Sequence, residues 1–166
     1  MVIQSGVFTE RLFARILTGL GYSNLAATYD VETLRAILAE RDPYRLSWLD
    51  ANYSEDTSPE RIVDYAFGID YLIEVAPTNQ RIGMDFTING SSLHRKMQKL
   101  DRNKWLWHGL GISTNIVVCF ELPNGHDQGL LFYDLEDCED KLLDGIFSAI
   151  ESKKEVTAIN IKVCRK

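Results

Sequence analysis

The stretch from residue 67 to residue 88, FGIDYLIEVAPTNQRIGMDFTI, constrains the fold of this chain more than any other. Its two runs of alternating apolar and polar residues flank the turn-forming letters PTNQ, which predicts a β-hairpin. With the turn centred between Pro77 and Thr78, Glu74 lies opposite Arg81 as a favourable pair of opposite charge. The same register collects one apolar face from both strands: Ile69, Tyr71, Ile73, Val75, Ile82, Met84, Phe86 and Ile88.

The other face of the hairpin places two acids, Asp70 and Asp85, opposite each other. Aspartate is depleted in strands because its short polar side chain prefers turns and caps. Two carboxylates about 5 Å apart repel each other by about 3 kcal/mol at an effective dielectric constant of ~20. A shared proton, a cationic side chain or a divalent metal would relieve that repulsion, and oxygen ligands favour Mg²⁺ or Mn²⁺ over zinc. The alternative is that both acids face solvent on an edge hairpin with a different register.

The remaining pattern predicts an α/β domain with a mixed central β-sheet flanked by helices. Helical periodicity covers residues 8–22, 30–43, 91–111 and 138–152, and Ser58-Pro59 begins a short helix that runs to Tyr65. Strands are predicted at 114–122, 130–135 and 157–163, the first so apolar that it must be buried on both faces. Residues 44–57 are predicted to be irregular and 124–129 to form a turn. No repeat or linker divides the sequence, so residues 1–166 are predicted to form one domain.

Composition and charge limit the classes of function. The chain of 166 residues has a net charge of −6, which argues against a general nucleic-acid coat protein. Yet five basic residues and one acid lie between Arg95 and Lys104, which predicts a basic helix on an acidic protein. No run approaches the ~20 apolar residues of a membrane span, and the amino terminus lacks a secretory-signal pattern. Cys119, Cys138 and Cys164 fit no metal-binding spacing and indicate reduced thiols in a cytoplasmic protein.

The order of these elements resembles the restriction-endonuclease-like, or PD-(D/E)xK, nuclease superfamily. FTERLFARILTGLGY is similar to the family's first helix, with Glu10 as its acid, while GIDYLIEV supplies Asp70 and RIGMDFTI supplies Asp85. A basic helix and a buried strand follow, as in the family. The resemblance implies a metal-dependent nuclease that hydrolyses phosphodiester bonds of DNA, in which Glu10, Asp70, Asp85 and the carbonyl of Phe86 bind Mg²⁺ or Mn²⁺. Residues 23–66 have no counterpart in the family and are expected to be a helical insertion.

The chain departs from the family at the motif lysine. The family's second strand ends in Asp-x-Lys, whose lysine orients or polarises the attacking water, but here the strand ends Asp85-Phe86-Thr87. Some members supply the lysine from the next helix. The apolar stripe of that helix is expected to cover the hairpin face bearing Met84, with Lys96 at its margin and Lys99 further round. The resemblance therefore implies Lys96, and next Lys99, as the catalytic lysine; the alternative is that both are phosphate contacts or surface charge.

Other residues are assigned weaker roles. Arg95, Lys99 and Arg102 are predicted to contact the nucleic-acid backbone. Glu60 or Asp64, just before the hairpin, is the alternative to Glu10 as the helical acid. The side chains expected to have structural or surface roles, rather than metal binding or base stacking, are His94, His108, His126, Trp105 and Trp107.

Two functions from different classes are compatible with this sequence. The first is a metal-dependent DNA nuclease, acting alone or as a subunit in a mobile-element or defence system. A homodimer or a protein partner in a larger complex is compatible with it. The second is a nuclease-fold module that has lost catalysis with the Asp-x-Lys lysine and binds DNA or a protein partner. A purely structural subunit would leave the opposition of Asp70 and Asp85 unexplained.

Overall fold

The computed structural model describes residues 2–123 and 130–166. Its four-stranded mixed sheet has the order β1-β2-β3-β4, with strands Tyr71–Val75, Gln80–Thr87, Ile112–Glu121 and Val156–Lys162. β1 pairs antiparallel with β2, while β3 runs parallel to both β2 and β4. Helices cover both faces, so the predicted α/β class with a mixed, helix-flanked sheet is confirmed.

Seven α-helices lie within the described residues. They are α1 Val2–Gly19, α2 Val31–Arg41, α3 Pro43–Asn52, α4 Pro59–Ile62, α5 Leu93–Arg102, α6 Lys104–Trp107 and α7 Leu135–Ser152. α4 continues into a π-helical turn, Val63–Phe67. Short 3₁₀ turns occupy Leu25–Thr28, Gly90–Ser92, His108–Leu110 and Leu130–Phe132. Within the described ranges, no helix combines the length and the apolarity needed to cross a membrane.

The register of the β1–β2 hairpin is the predicted one. Leu72 pairs with Gly83 and Glu74 with Arg81. The predicted charge pair is replaced, because the Arg81 guanidinium donates instead to the Tyr29 hydroxyl at 2.8 Å and to the Leu110 carbonyl at 3.0 Å. The hairpin therefore has the expected faces, and its second strand is tied to the helical layer.

The sheet separates two hydrophobic cores. On one face, hereafter the apolar face, α1 and α7 pack against Ile73, Ile82, Met84 and Phe120. On the opposite face, hereafter the acid-bearing face, α2 to α6 pack against Ile69, Leu72 and Val117. Ile69 was expected on the apolar face, but it precedes β1 and turns to the other core. β3 contributes residues to both cores, which confirms that it is a central strand buried on both sides.

Residues 44–57 are more regular than predicted, because α3 occupies most of the segment. The Asp42 side chain accepts from the Arg45 N–H at 3.1 Å, and Pro43 stands in the first turn. Aspartate followed by proline is a helix start, whereas the sequence interpretation took Pro43 only as the stop of α2. The predicted start of α4 at Ser58-Pro59 is confirmed, because the Ser58 side chain accepts from the Arg61 N–H.

Three other boundaries differ from the prediction. The predicted strand at 130–135 is wrong: Leu130–Phe132 is a 3₁₀ turn, and Asp134 caps α7 by accepting from the Asp137 N–H. The predicted helix at 91–111 is broken at Asn103 into α5 and α6. α1 begins well before residue 8, and α7 before residue 138. The predicted turn at 124–129, with His126, lies outside the described residues.

Candidate functional site

Asp70 and Asp85 lie next to each other on the acid-bearing face of the β1–β2 hairpin. Asp85 lies within β2 and is only 5% exposed. Asp70 precedes β1, and its N–H donates to the Met84 carbonyl at 3.0 Å, which extends the strand pairing by one residue. The Phe86 N–H donates to Asp85 Oδ1 at 3.0 Å and to Asp70 Oδ2 at 3.3 Å. Both carboxylates therefore converge on one peptide N–H, as the predicted register requires.

A third acid, Asp64, joins the pair from the π-helical turn. Its carboxyl group lies close enough to those of Asp70 and Asp85 for the three groups to affect one another's pKa values. Gly68 ends the turn with φ 74°, a left-handed conformation that favours glycine, and the chain then reverses into Asp70. From the sequence, Asp64 was only an alternative to Glu10, because that reversal is a tertiary feature.

Burial and neighbouring charges raise the pKa values of two of these acids, Asp70 and Asp64. Burial raises the pKa of Asp70 well above its ordinary value, and the hydrogen bonds and charges of Asp85 and Asp64 raise it further. Burial also raises the pKa of Asp64, against the lowering effects of its hydrogen bond with Asp70 and of Lys99 and Lys96. The cluster therefore favours binding a proton or another cation.

Lys96 supplies a cation at this point. Its Nζ donates to Asp85 Oδ1 at 3.0 Å and to Oδ2 at 3.2 Å. The expectation that α5 would cover the Met84 face is wrong. α5 instead packs Met97 and Leu100 on the acid-bearing face, and α1 covers Met84. This arrangement removes the need for Lys96 to reach around the hairpin, because helix and acids lie on the same side of the sheet.

Thr87, which replaces the motif lysine, has a local structural role. It is buried, and its Oγ1 accepts from the Asn89 N–H at 3.0 Å and lies 3.1 Å from Ser92 Oγ. Asn89 in turn accepts from the Ser91 N–H at 3.1 Å. Thr87 therefore stabilises the turn that leads into α5. The ammonium group beside Asp85 comes from Lys96 on that helix.

The other basic residues of α5 that were assigned to the site differ in whether they interact with the acids. Lys99 is exposed, and its Nζ lies 3.5 Å from where a Cβ on Gly68 would stand. Its charge also acts on Asp64. Arg95 and Arg102 are exposed on α5 and belong to no ion pair among the described residues. Their predicted contacts with a nucleic-acid backbone remain predictions.

Glu10 stands apart from the three aspartates in its contacts. It is exposed on α1, whose buried side chains belong to the core of the apolar face. Glu10 is not among the charged groups that shift the pKa of Asp64 or of Asp70. α1 does approach the site, since the ring of Phe13 stacks on that of Phe86 at 4.4 Å. The predicted roles of Glu10 and of the Phe86 carbonyl as metal ligands stay predictions.

The donor chemistry of the cluster suits a hard divalent cation. Asp64, Asp70 and Asp85 present only carboxylate oxygens, the ligands that Mg²⁺ and Mn²⁺ prefer. As they stand, however, both oxygens of Asp85 accept from Lys96. No group of three or more His, Cys, Asp or Glu side chains in the described part of the chain is arranged to hold a metal ion. The cluster thus offers carboxylates suited to a divalent metal, but one of them, Asp85, is already paired with Lys96.

No protein-family model, no curated protein and no solved structure matches this chain. The fold and the site together define an α/β protein with a cluster of three aspartates and one lysine on one face of its sheet.

Proposed function

We propose that this protein is a metal-dependent nuclease that hydrolyses phosphodiester bonds of DNA. The observation that carries the proposal is the contact of Lys96 Nζ with both oxygens of Asp85, at 3.0 and 3.2 Å, beside Asp70. A helix-borne lysine at that position supplies the charge that Thr87 cannot. A partly buried cluster in which burial raises the pKa of two acids, Asp64 and Asp70, is also typical of functional sites.

The proposal includes a restriction-endonuclease-like core. Its support is the order of α1, the β1–β2 hairpin, α5 and β3, with the hairpin antiparallel and β2 parallel to β3. The helical segment between α1 and the hairpin is the proposed insertion, and it contributes Asp64.

Each residue of the cluster has a proposed role. Asp64, Asp70 and Asp85 would hold Mg²⁺ or Mn²⁺, with Asp64 in the role that the family resemblance gives to Glu10. When bound, the metal supplies a water of lowered pKa and offsets negative charge on the phosphate. Lys96 would donate a hydrogen bond to the attacking water or to a phosphate oxygen. The exposed cations Arg95, Lys99 and Arg102 would contact the strand through its phosphates.

A cleavage assay with Mg²⁺ or Mn²⁺ tests this function. Single-stranded, double-stranded and branched DNA are the substrates. Asp70→Asn and Asp85→Asn should each abolish cleavage while the protein remains folded. Asp101→Asn, an exposed acid on α5, is the matched control and should cleave as the wild type does. Cleavage at the wild-type rate by either test variant would show that the site is misassigned.

A second assay separates Asp64 from Glu10. Asp64→Asn should reduce cleavage by at least about a hundredfold, as loss of a group that stabilises charge in the transition state does. Glu10→Gln should change it little, because Glu10 is exposed and has no described contact with the pair. The opposite result would restore Glu10 as the helical acid of the site.

One observation favours a second candidate, a nuclease-fold module without catalysis. Both oxygens of Asp85 accept from one ammonium group, so the ion pair relieves the charge of that carboxylate without any metal. Such a module would bind DNA or a protein partner through the basic face of α5. It would neither cleave DNA nor bind Mn²⁺.

A further inference from the structure

An open cavity of about 430 Å³ lies beside the acid cluster, on the helical insertion. It is lined by Tyr44, Arg45, Trp48, Tyr65, Gly68 and Lys99, with Asp42 at its edge. Two of these residues connect it to the cluster along the chain, since Tyr65 follows Asp64 and Gly68 lies two residues before Asp70. Its volume falls within the range of small-ligand sites, about 300–1,000 Å³.

The cavity presents aromatic rings to solvent. Tyr44 is 89% exposed, Trp48 44% and Tyr65 41%. Tyr53 supports two of them from behind: its ring stacks on Tyr65 at 4.7 Å with an interplanar angle of 18°, and it meets the edge of Trp48 at 5.6 Å. The rings of Trp48 and Tyr65 are therefore held in place by Tyr53 while part of their surface stays accessible. Aromatic faces of this kind stack on nucleobases regardless of sequence.

The charged groups of the cavity differ in their freedom. The Arg45 guanidinium is held, because Nη1 donates to the Ala66 carbonyl at 2.9 Å and Nε lies 3.5 Å from Asp42 Oδ2. Lys99 is exposed and lines the cavity, and its ammonium lies close to Gly68, two residues before Asp70. Aromatic rings and a cation in one cavity match the two parts of a nucleotide, its base and its phosphate.

We propose that this cavity binds one unpaired nucleotide of the DNA strand on which the acid cluster acts. Its base stacks against Trp48 and Tyr65, and the phosphate beside it contacts Lys99. The proposal rests on the nuclease function and names the substrate class: single-stranded DNA, or DNA with unpaired nucleotides at the cleavage point. A base within a duplex is already stacked on both sides, so a duplex cannot fill the cavity without unpairing.

Binding of labelled oligonucleotides, measured by fluorescence anisotropy, tests this proposal. The protein carries Asp85→Asn to prevent cleavage, and the probes are a single strand and a duplex of the same sequence. Adding Trp48→Ala should weaken binding of the single strand by about tenfold or more and change binding of the duplex less than about twofold. Tyr44→Ala should act in the same direction, and its high exposure means that it does not disturb packing.

The matched control is Trp105→Ala. Trp105 is 41% exposed on α6 and does not line the cavity. It should leave both affinities unchanged. Unchanged single-strand binding in both the Trp48 and Tyr44 variants would overturn the proposal, and so would an equal loss with Trp105→Ala.

Abasic probes sharpen the test. Each nucleotide of the single strand is replaced in turn by an abasic site. At one position this replacement should weaken binding to the Asp85→Asn protein about tenfold, and it should have little effect once Trp48→Ala is added. Equal effects in both proteins at every position would contradict base stacking in the cavity.

The outcomes also separate this inference from the proposed function. If Asp70→Asn abolishes cleavage but Trp48→Ala binds single strands normally, the cavity proposal fails and the nuclease stands. If the wild type cleaves no DNA but loses single-strand affinity with Trp48→Ala, the nuclease fails and the nucleotide cavity stands.

Discussion

The two faces of the sheet are built from alternate residues of the same strands, yet they differ in what they bury. On the apolar face, Phe13 packs its ring against Tyr71, Phe86 and Phe120. On the acid-bearing face, β2 presents Gly83 and Asp85. Both faces carry a hydrophobic core, but the acid-bearing face also buries polar and charged groups.

Asn115 illustrates the difference. It is fully buried opposite Gly83 in β3, and neither atom of its amide has a hydrogen-bond partner within the described residues. An unpartnered buried amide costs stability, as do adjacent carboxylates. Natural proteins retain such groups mainly at functional sites. The α1 and α7 side thus buries an apolar core, whereas the α5 side combines a core of similar size with a buried carboxylate and a buried amide.

Removing a ring from the apolar face should have the largest effect. Phe13→Ala deletes a side chain that is 1% exposed and should lower the free energy of unfolding by about 3–5 kcal/mol. Denaturant unfolding measures it. Phe147→Ala, which removes a 45% exposed ring from α7, is the control and should cost under about 1 kcal/mol. Similar costs for the two variants would contradict the burial of Phe13 in the core of the apolar face.

Removing the site lysine should affect activity. Lys96→Ala should lower turnover by about 10²–10³-fold with little change in DNA affinity, because its ammonium contacts Asp85 at 3.0 Å. Lys99→Ala should mainly weaken binding. Lys104→Ala, an α6 lysine paired with Glu155 at 3.5 Å, is the control for general loss of charge. Steady-state kinetics and anisotropy measure both quantities. Loss of affinity without loss of turnover in Lys96→Ala would make it a phosphate contact.

Filling the space at Gly83 tests how tightly the acid-bearing face is packed. A Cβ there would lie 2.0 Å from Asn115 Oδ1. Gly83→Ala should therefore cost about 1–3 kcal/mol of stability. Adding Asn115→Ala should recover most of that loss, because it removes the atom that clashes. A double variant no more stable than Gly83→Ala would mean that the strain lies in the backbone.

Much of this arrangement could be predicted from the sequence. The alternation around PTNQ fixes the hairpin register, which brings Asp70 and Asp85 together, because a one-residue slip would invert both faces. Helical spacing also selects Lys96, since it lies at the margin of the stripe containing Met97 and Leu100. Local periodicity is sufficient for both.

Other features of the fold and the site depend on tertiary structure, or on residues whose local preference fits more than one structure. Asp64 reaches Asp70 only through the reversal at Gly68. Pro43 serves as a helix start where it was taken as a stop, so α3 was missed, and with it the exposed Tyr44 and Trp48. The face covered by α5 was misassigned because apolar residues flank both sides of the sheet.

The smallest effect should be the pH dependence of stability in a chelator. The pKa of Asp70 is raised in the folded state, so between its unfolded and folded values the folded protein binds more protons than the unfolded chain. The free energy of unfolding should therefore fall as pH rises through that interval. Asp70→Asn should make the fall shallower and raise stability at neutral pH. Thermal melts across pH measure it, and identical slopes for both proteins would contradict the raised pKa.

Calorimetric titration of the metal-free protein with Mn²⁺ shows whether the aspartate cluster is a metal site. The wild type and the Asp101→Asn control should bind Mn²⁺, and Asp85→Asn should not. At 100 times Kd, the metal should stabilise the wild type against unfolding by about 2.7 kcal/mol. Absence of Mn²⁺ binding by the folded wild type, or equal binding by Asp85→Asn, would contradict the account.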